Sequence, residues 1–230
     1  MRYAALRRRL PPWLLRHVLH FESVIEQSVT EFGESLAGGA RVLDAGAGEA
    51  RHRSCFPRQS YVAFDLAVGD ASWDYTGLDA CGDLAALPFP DACFDAVIHI
   101  VTLEHVRDPR RVTSELGRVL KPGGRLLLVA PHEWEEHQAP HDYFRFTRFG
   151  LAYLLAEAGF ADARIEPVGG FFRLLSRRLL NALQFFPGIS VIPAALFFVP
   201  PALVLPLLDG LDRTRAFTLG YTCSAVKRSL

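Results

Sequence analysis

Between Pro131 and Thr147 the chain holds three histidines, four carboxylates, one arginine and four aromatic side chains. Such density is unusual for a passive connection, because loops carried on a rigid scaffold are where chemistry concentrates. A histidine titrating near neutrality suits removal of a proton from a hydroxyl or an amine. Arg145 has the fork to hold an anionic group, or it pairs with Asp142 and fastens the loop. No metal is expected, since these histidines have no helical His-x-x-x-His ligand context.

A second concentration of chemistry lies earlier. The apolar run Val42-Leu43 ends in Asp44 and is followed by Gly46 and Gly48. Glycines there allow a tight turn and leave room for a ligand to approach the backbone. A dinucleotide fingerprint would need a third glycine at the position held by Arg51. Asp65 ends the next apolar run about twenty residues on, where an acid can accept from both hydroxyls of a ribose. Further along, Asp83 is suited to an adenine amino group and the Leu84 N–H to a ring nitrogen. Taken alone, the glycine turn is equally compatible with an ordinary structural loop.

The elements that must position these residues follow from periodicity. Short apolar runs alternate with helix-like stretches, the mark of a largely parallel α/β sheet. Strands are predicted at 41–44, 61–65, weakly at 75–78, 94–100, 125–130, 163–168 and 216–228. Helices are predicted within 12–36 and at 49–57, 109–120 and 148–158. Pro109 stands in a first turn, and glycines follow the last two helices.

In order along the chain come Val42–Gly48, Tyr61–Asp65, Gly82–Phe89 with its Leu-Pro-Phe turn, Phe94–Ile98, the Leu-Glu-His motif at Leu103–His105, and Arg118–Arg125. This series resembles the class I S-adenosylmethionine-dependent methyltransferases, in the methyltransferase type 11-like group, over roughly residues 40–165. The resemblance implies an α/β fold with a Rossmann-like seven-stranded sheet, mostly parallel with an antiparallel last strand. An N-terminal helical region and an apolar helical insertion between strands 6 and 7 complete it. The cofactor implied is S-adenosyl-L-methionine. Asp44, Gly46 and Gly48 would cradle its methionine part, Asp65 with Leu66 its ribose, and Asp83 with Leu84 its adenine. Backbone at His99 and Ile100 would lie beside the methionine amine. Ala50 departs from the glycine that many relatives carry. Glu104 and His105 would sit at the start of a helix, where capping explains them as well as catalysis does.

The segment from His137 to Thr147 resembles a subgroup string that borders the transferred methyl. His137 and His141 are therefore candidate general bases, with Asp142 orienting one of them. Trp134, Tyr143 and Arg145 are candidate acceptor contacts. Methyl transfer from a sulfonium needs mainly alignment and exclusion of water, so no catalytic triad is expected.

Composition excludes several classes. Twenty-five basic and twenty-five acidic residues give zero net charge, which argues against a general nucleic-acid binder. The four cysteines are scattered, so reduced thiols in a cytoplasmic compartment are expected. No signal-peptide pattern follows the basic start.

From Leu179 to Leu208 there is no charged residue. The length would cross a bilayer, but Pro187, Pro193, Pro200, Pro201 and Pro206 are expected to cut it into short pieces. Its flanks belong to neighbouring strands, which forbids a single crossing. Peripheral contact with the inner face of a membrane is expected through 171–213, flanked by Arg173, Arg177, Arg178, Arg213 and Arg215, and through the arginine-rich N-terminus. The division predicted is 1–39 helical, 40–170 cofactor core, 171–213 insertion and 214–230 last strand. The expected acceptor is a lipid, a lipid-linked glycan or another amphiphilic small molecule. The rivals are a soluble dimer acting on a small hydrophobic metabolite, with the insertion as homodimer interface or lid, and a non-catalytic binding module.

Overall fold

The computed structural model describes residues 11–70 and 72–229. The chain forms two compact units: Met1–Glu26 with Pro167–Gly220, and Gln27–Glu166 with Tyr221–Leu230.

The larger unit is built on a sheet. Its strands are β1 (Arg41–Ala45), β2 (Ser60–Asp65), β3 (Ala80–Cys81), β4 (Phe94–Ile100), β5 (Leu120–Pro131), β6 (Phe160–Val168) and β7 (Gly220–Lys227). They lie in the order β3-β2-β1-β4-β5-β7-β6, and the pairs from β3 to β5 are parallel. Leu219 N–H bonds to the Val168 carbonyl while Arg228 N–H bonds to Gly159. One index rises as the other falls, so β7 runs antiparallel to β6. The seven-stranded mixed sheet is therefore as expected. Val42, Leu43, Val97 and Ile98 in β1 and β4 are fully buried, which explains their continuous apolar runs.

The helices follow from their ends. α1 (Pro12–Val18) and α2 (His20–Glu34) precede the sheet. α3 (Pro109–Val119) starts where the Asp108 carboxylate accepts from Arg111 N–H at 2.9 Å, with proline in its first turn. It buries Val112, Leu116 and Val119, each contributing about 1.5–3 kcal/mol. Thr147 Oγ1 caps α4 (Arg148–Glu157), which buries Leu151 and Leu155.

Three local expectations need correction. Residues 49–57 form turns and a short 3-10 turn at Arg53–Cys55, because Gly48 and Ala50 take left-handed conformations and Pro57 follows. The third strand lies at Ala80–Cys81 instead of 75–78, with Asp79 N–H bonded to Ala63 just ahead of it. Glu104 and His105 belong to a 3-10 turn, and the Glu104 carboxylate caps nothing.

In the other unit, α5 (Phe171–Ala182) packs on a helical stretch, Gly188–Leu211, that contains α6 (Val191–Val204). Pro200 and Pro201 lie inside α6 without breaking it, whereas Pro187 separates the stretch from what precedes it and Leu205-Pro206 opens a 3-10 segment that carries it to Leu211. Pro206 cannot donate to the Ala202 carbonyl, and Ser176 Oγ does so at 2.5 Å. Asp209 accepts from Gly170 and Arg173 N–H groups at 3.1 Å, which caps α5 and closes the base of the hairpin.

Candidate active site

Sheet order brings the glycine loop to a definite place. The chain leaves β1 for β2 and β3 on one side, then returns to β4 on the other, so a topological switch point lies at the carboxyl ends of β1 and β4. Gly46 (φ 88°) and Gly48 (φ 53°) turn the chain there. A β-carbon on Gly46 would overlap Thr102, which follows β4, and one on Gly48 would lie 3.2 Å from the Trp73 ring. Asp65 Oδ2 accepts from Gly48 N–H at 2.9 Å and its Oδ1 from Ala67 N–H at 2.8 Å. The ends of β1 and β2 are thus tied together beside the loop, with Leu66 half-exposed next to them.

Two buried polar atoms at these strand ends have no hydrogen-bond partner: Asp44 Oδ1 and His99 Nε2. Asp44 is fully buried, and burial pushes its carboxyl up to about 7 despite a hydrogen bond from the Tyr61 hydroxyl. Burial likewise lowers His99 to about 4, and its Nδ1 lies 2.6 Å from the Ala45 carbonyl. The Ile100 carbonyl is engaged by Thr102 Oγ1 at 3.0 Å. Asp83 caps a 3-10 turn by accepting from Ala85 N–H at 2.8 Å, and Leu84 beside it is buried. A glycine cradle and orphaned buried polar groups at the switch point fit a nucleoside cofactor with a charged amino-acid end.

The acceptor loop is anchored to the same edge. Tyr143 N–H donates to the Glu104 carbonyl at 2.9 Å. Arg145 forks onto Asp142 with bonds of 2.6 and 2.8 Å and reaches the Glu135 carbonyl at 2.8 Å and that of Trp134 at 3.2 Å. That pair holds the Asp142 carboxyl down at about 2. Arg145 therefore fastens the loop, and the expectation that it holds an acceptor anion is corrected: its donors are spent on the protein. Asp142 accepts from the His137 backbone N–H at 2.8 Å, with His137 Nδ1 3.4 Å away. His137 Nε2, however, turns toward His105 Nε2 at 3.1 Å. His141 Nδ1 stands 3.1 Å from the Tyr143 hydroxyl, which accepts from Arg107 Nε at 3.3 Å.

Two features escaped the sequence. Trp73 lies against Gly48, and no periodicity marks it as a loop neighbour. Glu104, His105 and His137 converge, with their donor atoms within 4.8 Å of one another. Burial raises Glu104 to about 8 and lowers His105.

Comparison with known proteins agrees with this geometry. The methyltransferase domain family matches residues 43–128. Malonyl-[acyl-carrier protein] O-methyltransferase of Hahella chejuensis is 32% identical over 150 residues, 56% of this chain and 54% of that protein. Demethylmenaquinone methyltransferase of Renibacterium salmoninarum is 36% identical over 97 residues, 40% of this chain and 41% of that protein. The chain spans about half the length of the curated relatives it matches. Among solved structures, phosphoethanolamine N-methyltransferase 2 of Haemonchus contortus, with phosphomonomethylethanolamine and S-adenosylhomocysteine, superposes with a TM-score of 0.56. It is 18% identical, over 89% of this chain and 53% of that one, and shows the shared fold.

The sheet and its switch-point site define a Rossmann-like cofactor domain. Within it, residues 43–128 match the methyltransferase domain family and are similar to class I S-adenosylmethionine-dependent methyltransferases.

Proposed function

We propose that this protein is an S-adenosylmethionine-dependent methyltransferase that works at a membrane surface, on an oxygen or nitrogen of a lipid, lipid-linked glycan or similar amphiphile. The observation that carries the membrane reading is the stretch Gly188–Leu211, 24 helical residues that are strongly apolar and mostly unburied. Ile189, Leu196, Phe197, Leu207 and Leu211 are each at least 70% exposed. An unbroken apolar face of that size marks an interaction site. Removing such side chains from water stabilises by about 25 cal/mol per Å².

The stretch is read as lying in the interface. Its partner α5 carries Arg173, Arg177 and Arg178 and is unsuited to hydrocarbon, so the hairpin lacks a second apolar leg. The arginines support the membrane reading less than expected. Arg173 pairs with Asp209 at 3.4 Å and Arg177 with Glu22 at 2.9 Å, both largely sheltered. Arg2, Arg7, Arg8 and Arg9 lie outside the described residues. Apolar contact therefore carries the binding.

S-adenosylmethionine, when bound, supplies an activated methyl group and a thioether leaving group. The chain's own residues then bind and align: Asp65 holds the ribose end, Asp83 and Leu84 the adenine end, and the loop from Pro131 to Thr147 borders the acceptor. His137 Nε2 is turned inward, so we assign the acceptor's proton to His141, whose ring is held through Nδ1 by the Tyr143 hydroxyl.

Flotation with anionic and neutral liposomes tests the membrane reading. The protein should float with both, and Leu196→Glu with Phe197→Glu should remain at the bottom. A wild-type chain that stays down and sediments as a dimer would show that the apolar face meets a second copy, and would overturn it.

A further inference from the structure

His105 and His137 face each other through their Nε2 atoms, 3.1 Å apart. The other nitrogen of each ring is already committed. His105 Nδ1 lies 2.6 Å from the His141 carbonyl. His137 Nδ1 lies 3.1 Å from the Glu135 carbonyl and 3.4 Å from Asp142 Oδ2. Those oxygens only accept, so the Nδ1 of each ring supplies a hydrogen, and Nε2 is the atom each ring leaves for another ligand. The two Nε2 atoms thus point into one space.

Glu104 supplies a third donor. Its Oε1 lies 3.7 Å from His105 Nε2 and 3.9 Å from His137 Nε2. The side chain is fully buried, and neither carboxylate oxygen has a hydrogen-bond partner. An unpartnered buried carboxyl is costly, and three converging electron-pair donors repel one another unless a cation joins them.

We propose that Glu104, His105 and His137 bind a divalent transition-metal ion, of which zinc(II) fits best. Two imidazoles and a carboxylate are a common donor set for that ion. Metal–ligand bonds of about 2.0–2.2 Å at tetrahedral angles place donor atoms about 3.3–3.6 Å apart. The three observed spacings bracket that range. The carbonyls of His141 and Glu135, together with Asp142 held by Arg145, are outer partners that fix the tautomer and aim of both rings. His105 and His137 keep 11% and 25% of their side-chain surface, so a fourth position is open to solvent, as in sites that exchange a ligand. No pair of ligands has a helical spacing, because His137 reaches the site only through the anchored loop. This inference stands apart from the methyltransferase reading, since it needs no bound cofactor.

The test uses the full chain without an affinity tag, stripped with a chelator and titrated with Zn²⁺ by calorimetry and with Co²⁺ by visible absorption. One ion should bind per chain, and Co²⁺ should develop the intense bands of a four- or five-coordinate site. His105→Ala, His137→Ala and the near-isosteric Glu104→Gln should each weaken binding at least tenfold. Zinc-induced shifts in the histidine ring signals of the wild-type chain provide a readout that depends on no variant, and they should centre on His105 and His137. Absence of zinc binding, equal affinity in folded variants, or shifts centred on other histidines would overturn the proposal.

Discussion

Thr102 reaches from the end of β4 to the cofactor loop: its hydroxyl donates to the Gly46 carbonyl at 3.2 Å, and its side chain fills the space a β-carbon on Gly46 would need. Gly46 also sits at φ 88°, where an L side chain is strained by about 1–3 kcal/mol. Gly46→Ala should therefore lower stability by that amount and weaken S-adenosylmethionine binding at least tenfold. Thr102→Ser, which keeps the hydroxyl, should stay close to wild type. Calorimetry and urea unfolding would show it, and wild-type affinity in Gly46→Ala would place the cofactor elsewhere.

His141, held through Nδ1 by the Tyr143 hydroxyl, is the proton acceptor in the proposed reaction. His141→Gln should lower kcat by about 10²-fold or more, the usual worth of general-base catalysis, while cofactor affinity is unchanged. An undiminished kcat would remove His141 from the chemistry.

The Arg145 fork keeps Asp142, whose side chain is 3% exposed, from being a lone buried charge. Arg145→Ala should destabilise the fold by about 3–5 kcal/mol. Lysine keeps the charge but not the two parallel bonds, so Arg145→Lys should fall between. Equal urea midpoints for all three proteins would contradict the anchoring role.

Asp44 gives a signed pH dependence. Burial raises its carboxyl from 3.8 to about 7, the nearby Asp65 charge adding to the effect and the Tyr61 hydrogen bond opposing it. Between those values the native state holds a proton that the unfolded chain has released. Stability then falls as pH rises, by at most about 1.4 kcal/mol per pH unit. Asp44→Asn has no proton to exchange. Its stability relative to wild type should therefore rise by a few kcal/mol from pH 4 to pH 7, measured by denaturant unfolding at each pH. A constant difference would mean that Asp44 is ionised throughout.

Legibility differed by kind of information. The strand Phe94–Ile100 and the helix from Pro109 could be read almost to the residue, because an unbroken apolar run and a capping Asp-Pro pair are local signals. The glycine loop was legible through spacing to Asp65. Residues 49–57 misled, because a left-handed Ala50 leaves no mark in composition. The meeting of Glu104 with His137 was invisible, since it depends on how a loop thirty residues away folds back on the end of β4. Arginines flanking the insertion resembled a head-group belt until Arg173 and Arg177 proved to be paired with Asp209 and Glu22.

The most direct test of the account is methyl transfer itself. The protein is incubated with methyl-labelled S-adenosylmethionine and with membrane lipids, lipid-linked glycans and soluble metabolites in separate fractions. Label should enter an amphiphile-containing fraction, and Asp65→Ala, which frees the Gly48 and Ala67 amides, should reduce that transfer at least tenfold. Label confined to water-soluble metabolites, or no transfer to any fraction by a protein that binds the cofactor, would contradict it.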